Sequence, residues 1–314
     1  MTSYKPEIMP SGKKIFFEKV RTYKGHEGAV YALEKSPDPD KFFSGSGDKI
    51  VAEWDLKKDE PAKALVNVGA IVYALRHIPE KNEMLIGTSA GAIHVVDLDS
   101  RKETRNISFH KSQLFNLQYS FKHGKVFAAT GEGNFSVWSL DDFSLLYNIK
   151  LCNEKVRSIS LNKDHSAIAV ACGDGTVRLF DMISMREFHR IEAHTLSANC
   201  VCFHPEGNYL LTGGRDAHMK IWSAEDFSLI RSIPAHNYAL YAFSFSPEAD
   251  FFATASRDKT IKIWDARNFE MLQRIDKEKS GGHLNSVNNV LWLQNNYLVS
   301  TGDDRSVLVW KIVP

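Results

Sequence analysis

The chain has 314 residues and a formal net charge of +1, with 39 Lys and Arg residues against 38 Asp and Glu residues. This balance creates no overall positive field, which disfavours a nucleic acid as the main ligand. No apolar run is long enough to cross a membrane, and the first residues, MTSYKPEIMPSGKK, lack the apolar core of a secretory signal. The sequence therefore predicts no membrane association.

The first predicted element covers residues 13–22. Within it, Phe17 lies nine residues before His26, and the same interval separates Phe227 from His236 in the segment FSLIRSIPAH. Because FSLIRSIPAH comes between two groups of predicted strands, residues 13–22 are predicted to form a fourth, outer strand. No first three strands precede it.

The segment from His236 to Asp265 contains the most regular strand pattern. It reads YALYAFSFS, FFATAS and IKIWD, separated by the turn sequences SPEAD and RDKT. Apolar residues alternate along each run, which is typical of half-buried strands, and the turns carry Pro, Asp and Lys-Thr. The segment therefore predicts three consecutive antiparallel strands.

Versions of this segment recur at equal intervals. An interval of 42 residues separates each member of the series Trp54, Val96, Trp138, Phe180, Trp222 and Trp264, and Trp310 follows after 46 residues. Asp follows the aromatic position in several copies. A period of this length that begins near His and ends near Trp-Asp is typical of a propeller blade. The chain resembles the WD-repeat (WD40) family over nearly its whole length, from about residue 13 to residue 314.

The resemblance implies an all-β fold, a seven-bladed β-propeller of four-stranded antiparallel blades. We expect residues 1–12 to form a flexible N-terminal arm and residues 13–314 to form a single propeller. The expected blades cover residues 26–67, 68–109, 110–151, 152–193, 194–235, 236–282 and 283–314, the last with residues 13–25. Since the last copy has only KIVP after Trp310, the N-terminal strand is predicted to complete this blade and close the ring.

A hydroxyl, an imidazole and a carboxylate recur at fixed positions and suggest a hydrolase triad. An active site is needed only once, however, and this set occurs four times, each time with Trp. It resembles the structural tetrad of the family, in which Trp donates to the hydroxyl, the hydroxyl meets His, and His meets Asp. The expected tetrads are His26, Ser44, Asp48 and Trp54; His194, Thr212, Asp216 and Trp222; His236, Thr254, Asp258 and Trp264; and His283, Ser300, Asp304 and Trp310.

Blades 2, 3 and 4 depart from this pattern. Blade 3 has His110 and Trp138, but Ala128 replaces the hydroxyl; blade 4 has Cys152 and Phe180; blade 2 has none of the four groups. We expect these blades to be held by apolar packing alone.

The four cysteines do not form a recognisable disulfide or metal pattern. Cys200 and Cys202 face the same side of one strand and are poorly placed to bridge each other. A CxC pair without a second pair does not complete a metal site, so we expect neither a metal nor a cofactor. Free thiols favour a reducing compartment, and we predict a cytoplasmic protein.

Candidate binding residues occupy three positions of the repeat. Two lie three and five residues after the His position, on the expected innermost strand, and the third directly precedes the tetrad Asp position. We expect all three positions on one face of the ring, which we call the top. Blades 6, 1, 2 and 3 are expected to form an aromatic arc, and blades 4, 5 and 6 a basic arc. The candidates are Tyr241, Tyr31, Tyr73 and Phe115 in the first, and Lys155, Arg157, Arg215 and Arg257 in the second. An alternative interpretation is that the rings fill the channel and the arginines pair with nearby acids.

The sequence favours a non-enzymatic scaffold that binds a protein or peptide through the top face. Tyr and Arg are enriched in binding hot spots, and the cations favour an acidic or phosphorylated partner. No catalytic residue is assigned. Two alternatives stay open: a propeller enzyme acting in the central channel, and a binder of anionic ligands or nucleic acid through the basic arc.

Overall fold

A computed structural model describes residues 16–58, 62–294 and 296–313. The predicted arm over residues 1–12 and the beginning of the predicted first strand, residues 13–15, lie outside the described residues. Seven four-stranded antiparallel sheets form the ring. The predicted all-β propeller of seven four-stranded blades is thereby confirmed.

Blade 7 contains the first and the last of the described strands, and the other blades follow in sequence order. The first described strand is β1 (Phe16–Tyr23). Blade 1 contains β2 (Val30–Lys35), β3 (Lys41–Ser46), β4 (Ile50–Asp55) and β5 (Lys63–Asn67). Blade 2 contains β6 (Val72–Ile78), β7 (Glu83–Thr88), β8 (Ala92–Asp97) and β9 (Lys102–Ser108). Blade 3 contains β10 (Leu114–Ser120), β11 (Lys125–Thr130), β12 (Asn134–Ser139) and β13 (Leu145–Lys150).

The second half of the ring has the same order. Blade 4 contains β14 (Val156–Leu161), β15 (Ala167–Cys172), β16 (Thr176–Asp181) and β17 (Glu187–Glu192). Blade 5 contains β18 (Ala198–Phe203), β19 (Tyr209–Gly214), β20 (His218–Ser223) and β21 (Leu229–Pro234). Blade 6 contains β22 (Leu240–Phe245), β23 (Phe251–Ser256), β24 (Ile261–Asp265) and β25 (Met271–Ile275). After a short helix, α1 (Lys277–Ser280), blade 7 contains β26 (Val287–Trp292), β27 (Tyr297–Gly302), β28 (Val307–Val313) and β1.

Burial decreases from the middle of each blade to its rim. In β11, five of six residues are buried, whereas the outer strand β13 contains no buried residue. The middle strands are covered on both faces by the neighbouring blades, so their sequences are almost continuously apolar. The cores of the molecule therefore lie between blades.

The N-terminal strand closes the ring, as predicted. β1 pairs antiparallel with β28, and the register places Phe17 opposite Ile312 and Tyr23 opposite Val307. The Phe17 ring is 2% exposed and lies edge-to-face with Trp292 at a centroid distance of 5.5 Å. Blade 7 therefore combines three C-terminal strands with one N-terminal strand.

The seven blades are separate sheets, each with its own backbone hydrogen bonds. Side-chain hydrogen bonds connect the innermost strands of neighbouring blades. The Asn199 amide of blade 5 donates to the Leu240 carbonyl of blade 6 at 3.0 Å. Asn288 of blade 7 donates to the Val30 carbonyl of blade 1 at 3.1 Å. These bonds fix the relative positions of the strands that surround the channel.

Candidate functional site

A β-bulge in each innermost strand directs one side chain at the central channel. The register with the second strand shifts at the same place in all seven blades, leaving one residue of the innermost strand without a partner. A bulge of this kind redirects its side chain. The seven bulged residues are Tyr31, Tyr73, Phe115, Arg157, Asn199, Tyr241 and Asn288, and all line a channel cavity of about 790 Å³.

Three of these side chains form a continuous row of aromatic rings. The ring centroids of Tyr31 and Tyr73 are 4.9 Å apart, and those of Tyr73 and Phe115 are 5.3 Å apart. At the end of the row, the Arg157 Cζ atom lies 5.1 Å from the Phe115 centroid and the Lys155 Nζ atom lies 5.5 Å from it. Cation–π contact therefore joins the aromatic residues to the basic ones at Phe115.

The predicted order of the aromatic arc is wrong at one end. Blade 6 does not adjoin blade 1, because β26 of blade 7 packs between β22 and β2. Asn288 of blade 7 therefore separates Tyr241 from Tyr31 at the channel mouth. The observed aromatic row contains Tyr31, Tyr73 and Phe115, and Tyr241 is isolated from it.

Arg157 is a partly buried cation. Burial lowers its pKa, Tyr241 counteracts this effect, and the positive charge of Arg215 lowers the pKa further. Within the described ranges, none of Lys155, Arg157, Arg215 and Arg257 has a carboxylate at ion-pair distance. The alternative in which neighbouring acids neutralise these arginines finds no support in these contacts.

The other polar groups of the mouth have partners or remain neutral. The Asn288 amide donates to an Asp303 carboxylate oxygen at 2.8 Å, so this acid is occupied. Burial raises the pKa of the Tyr31 phenol, and the charges of Tyr73 and Asp303 raise it further. Burial also raises the pKa of Tyr73. Both phenols are therefore neutral at physiological pH and can donate hydrogen bonds.

Arg215 and Arg257 lie on the exposed top surface and do not line the channel cavity. Their backbone N–H groups donate to the carbonyls of Ser197 and Ala239, at 2.8 and 3.0 Å. These bonds anchor each arginine to the loop that leads into the innermost strand of its own blade. The guanidinium groups are therefore presented to solvent from fixed backbone positions.

Three apolar residues of the top surface were missed by the sequence analysis. Leu196, Tyr238 and Leu284 are 50%, 61% and 56% exposed, and they belong to the consecutive blades 5, 6 and 7. Each follows the tetrad His by one or two residues, a position that is not among the three candidate binding positions. All three are large apolar side chains that stay exposed in the loop before the innermost strand of their blade.

The four expected tetrads are hydrogen-bonded chains in the structure. In blade 6, Trp264 Nε1 donates to Thr254 Oγ1 at 3.0 Å, His236 Nε2 lies 2.8 Å from the same hydroxyl, and His236 Nδ1 lies 2.9 Å from Asp258. Blades 1, 5 and 7 repeat the arrangement with distances of 2.7–3.1 Å. The hydroxyl-bearing residue of every set is completely buried, so a substrate cannot reach it.

The electrostatics of the tetrads agree with a structural role. Burial by itself raises the pKa of Asp258, but hydrogen bonds from His236, Thr260 and the Asn237 N–H hold it well below its usual range. Burial lowers the pKa of His236 more than Asp258 raises it. The imidazole is therefore neutral at physiological pH and bridges the hydroxyl and the carboxylate.

Blade 3 contains a tetrad that the sequence analysis did not detect. His110 Nε2 lies 2.9 Å from Ser136 Oγ, and Trp138 Nε1 donates to the same oxygen at 3.0 Å. Glu132 takes the place of Asp, at 3.2 Å from His110 Nδ1. Ser136 lies directly opposite Ala128 across β11 and β12, so the hydroxyl comes from the neighbouring strand.

The prediction that blades 2–4 are held by apolar packing alone is therefore wrong. The residues that correspond to Ser136 are His94 in blade 2 and Arg178 in blade 4, and both are buried. His94 Nδ1 lies 3.2 Å from Glu103, and Arg178 donates to Glu187 at 3.5 Å. All three blades place a polar group on the third strand instead of the second.

We expect Ser136→Ala to reduce the free energy of unfolding by about 1–3 kcal/mol, because the buried Trp138 N–H loses its acceptor and the buried His110 Nε2 loses its donor. Urea unfolding measures the change, with the exposed Ser108→Ala as a control that should stay within about 0.5 kcal/mol of the wild type. Adding Ala128→Ser to Ser136→Ala restores the hydroxyl at the position used in the other tetrads and should recover part of the loss. An unchanged midpoint for Ser136→Ala would contradict the role of this hydroxyl.

Blade 4 also brings together two cysteines and a carboxylate. The Sγ atoms of Cys152 and Cys172 and a carboxylate oxygen of Asp174 lie within 4.8 Å of one another. Asp174 Oδ1 accepts from the N–H and the hydroxyl of Thr176, and Asp174 Oδ2 accepts from Arg178 at 3.4 Å. Both oxygens are thus engaged, and the adjacent guanidinium opposes a cation, so the residues do not form a suitable metal site.

The repeated tetrads and the seven bulged strands define a repeat propeller. Comparison with protein families gives the same result. The family model described as WD domain, G-beta repeat, matches residues 17–55, 185–223, 227–265 and 277–311. The model of the anaphase-promoting complex subunit 4 WD40 domain matches residues 134–201. The chain belongs to the WD-repeat family.

Propellers of this family are generally non-enzymatic scaffolds that bind proteins or peptides, and the repeats indicate this kind of function here. No curated protein matches the chain. Among the described residues, no helix is long and apolar enough to span a membrane.

Proposed function

We propose that the protein is an interaction scaffold that binds an acidic or phosphorylated peptide segment across the top of blades 4–7. The observation that carries the proposal is a group of cations that have no carboxylate at ion-pair distance among the described residues, Lys155, Arg157, Arg215 and Arg257, in blades that also carry or adjoin the exposed Leu196, Tyr238 and Leu284. An unpaired cation that is partly desolvated gains free energy from an anionic partner. The apolar residues supply contact area beside it.

The cations and the exposed apolar residues would contribute differently to peptide binding. A carboxylate or phosphate at the channel mouth would bind Arg157, whose guanidinium packs on Phe115 and is therefore held in place. Arg215 and Arg257 would bind further anionic groups along the segment, and Tyr238 would pack against its apolar side chains. The cations supply specificity and a fast association rate, and the apolar contacts supply affinity.

The alternatives have less support. A channel enzyme would need an acid or base in the channel, but of the carboxylates that line the described cavity, Asp303 accepts from Asn288 and Glu34 is ion-paired with Arg76 at 3.3 Å. A cage for a methylated amine would use the aromatic row, but Lys155 and Arg157 at its end repel a cation. A nucleic acid ligand is disfavoured by the net charge of +1. The cytoplasmic location stays a prediction from the cysteine content.

An array of random peptides in acidic, serine-phosphorylated and basic versions tests the proposal. We expect the wild type to bind acidic or phosphorylated peptides and to bind them more weakly as salt is raised. Affinities of the selected peptides are then measured by fluorescence anisotropy. The double variant Arg215→Glu, Arg257→Glu should lose about 30-fold or more in affinity, as expected for charged contacts.

The matched control reverses two charges elsewhere. Lys63 and Lys102 lie exposed on the outer strands of blades 1 and 2. The double variant Lys63→Glu, Lys102→Glu has the same net charge as the top-face variant and should bind the peptides like the wild type. Equal losses for both double variants would refute a top-face site, since net charge would then explain the effect.

A further inference from the structure

The top of blade 4 contains two thiols that meet across the blade. Cys152 occupies the position that holds His in the five blades with a tetrad, and Cys172 ends β15. Their sulfur atoms lie within 4.8 Å of each other, and both cysteines are free. A disulfide holds two sulfur atoms about 2.0 Å apart. Bond formation therefore requires the sulfurs to approach by less than about 3 Å.

The two thiols differ in exposure and in hydrogen bonding. Cys152 is half-buried and Cys172 is completely buried. A hydrogen bond with Cys172 lowers the pKa of Cys152 well below its usual range, despite the opposing effect of burial. The same hydrogen bond, together with burial, raises the pKa of Cys172. Cys152 is thus the more accessible thiol, its Sγ–H donating to the Glu154 carbonyl at 3.2 Å, and it loses its proton more readily than the buried Cys172.

The backbone near Cys152 is held closely. Gly133 of the neighbouring blade has a φ of +84°, and a Cβ atom there would lie 2.1 Å from the Cys152 carbonyl oxygen. The Cys152 N–H in turn faces the Gly133 carbonyl at 3.4 Å. This contact limits how far Cys152 can move from Cys172. Since Asp174 is engaged by Thr176 and Arg178, the pair is better suited to thiol chemistry than to metal binding.

We propose that Cys152 is a site of reversible oxidation by a hydroperoxide and that Cys172 resolves it as a disulfide. The Cys152 thiolate attacks one oxygen of the peroxide, the O–O bond breaks, and the departing oxygen takes a proton and leaves as water or an alcohol. The sulfenic acid on Cys152 is then attacked by the Cys172 sulfur. The S–S bond forms, the S–O bond breaks, and water leaves with the thiol proton. Two thiols lose two electrons in total, and the peroxide is reduced.

The disulfide would have a structural consequence. It would join the loop between β13 and β14 to the end of β15, where the tetrads of other blades have the His–Asp hydrogen bond. Lys155 lies three residues after Cys152 in this loop, and Arg157 follows in β14. Oxidation would therefore stiffen the part of the top face that presents these two cations. The disulfide is chemically independent of the peptide-binding proposal.

Treatment of the full-length, reduced and chelator-treated protein with hydrogen peroxide tests the proposal. We expect the protein to lose the mass of two hydrogen atoms, and peptide mapping to find one disulfide between Cys152 and Cys172. Dithiothreitol should reverse the change. Oxidation should raise the melting temperature by about 5 °C, because the new bond restricts the unfolded chain.

Single variants separate the roles of the two cysteines. In Cys172→Ser, a sulfenic acid on Cys152 should be trapped by dimedone, whereas Cys152→Ser should consume peroxide at least about 10-fold more slowly. Cys200→Ser is the matched control and should form the disulfide like the wild type, because Cys200 is buried in blade 5 and is not part of the Cys152–Cys172 pair. Either oxidation of Cys200 and Cys202 in preference to this pair, or protection of Cys152 and Cys172 by stoichiometric Zn²⁺ alone, would overturn the proposal.

Discussion

Deletion of residues 1–22 is expected to abolish cooperative folding. The deletion removes seven of the eight residues of β1 and exposes the edge of β28, whose backbone groups pair with β1 in the complete ring. It also removes Phe17, whose N–H and carbonyl group bind the side-chain amide of Gln273 in blade 6. Circular dichroism should show no cooperative thermal transition, and size-exclusion chromatography should show aggregates, because an exposed strand edge promotes association.

A shorter deletion provides the control. Removing residues 1–12 leaves β1 complete, and this variant should melt like the wild type and elute as the same species. A cooperative melt at the wild-type temperature after deletion of residues 1–22 would show that ring closure contributes little to stability.

Replacement of Trp264 by Ala is expected to reduce the free energy of unfolding by about 3–5 kcal/mol, as for other buried aromatic residues. The indole is 3% exposed and stacks on Phe252, with ring planes 9° apart. Its N–H donates to Thr254, so the substitution also removes one end of the tetrad. Urea unfolding monitored by circular dichroism measures the loss.

The Trp264→Phe variant separates packing from hydrogen bonding. It retains a ring against Phe252 but lacks the donor to Thr254, and we expect a smaller loss of about 1–2 kcal/mol. Equal losses for the Ala and Phe variants would contradict the packing contribution. In that case the hydrogen bond alone would account for the stability of this position.

The fold was predictable because its signal is repeated. One Trp-Asp pair has little meaning, but the interval that recurs from Trp54 to Trp264 requires a structural unit of constant length. The missing fourth strand after Trp310 and the surplus strand at Phe17 are complementary, so ring closure also followed from the spacing. The channel-lining residues could be predicted because each lies the same number of residues after the His position of its blade.

Contacts between residues at unequal offsets were not predictable in this way. Ser136 replaces the hydroxyl of blade 3 from the opposite strand, and only the cross-strand register with Ala128 shows that the two positions are equivalent in space. The cysteines of blade 4 were missed for a related reason: Cys152 and Cys172 are twenty residues apart, and a strand and a turn bring them together.

The sequence by itself determined the seven-bladed ring, the closing strand and the four tetrads, because these depend on periodicity along the chain. Only the tertiary structure decided which residues adjoin one another around the ring. It placed blade 7 between Tyr241 and Tyr31, left Arg157 without an acidic partner among the described residues, and paired Cys152 with Cys172. The physical reason is that burial, charge pairing and thiol reactivity depend on distances through space, and periodicity along the chain does not specify these.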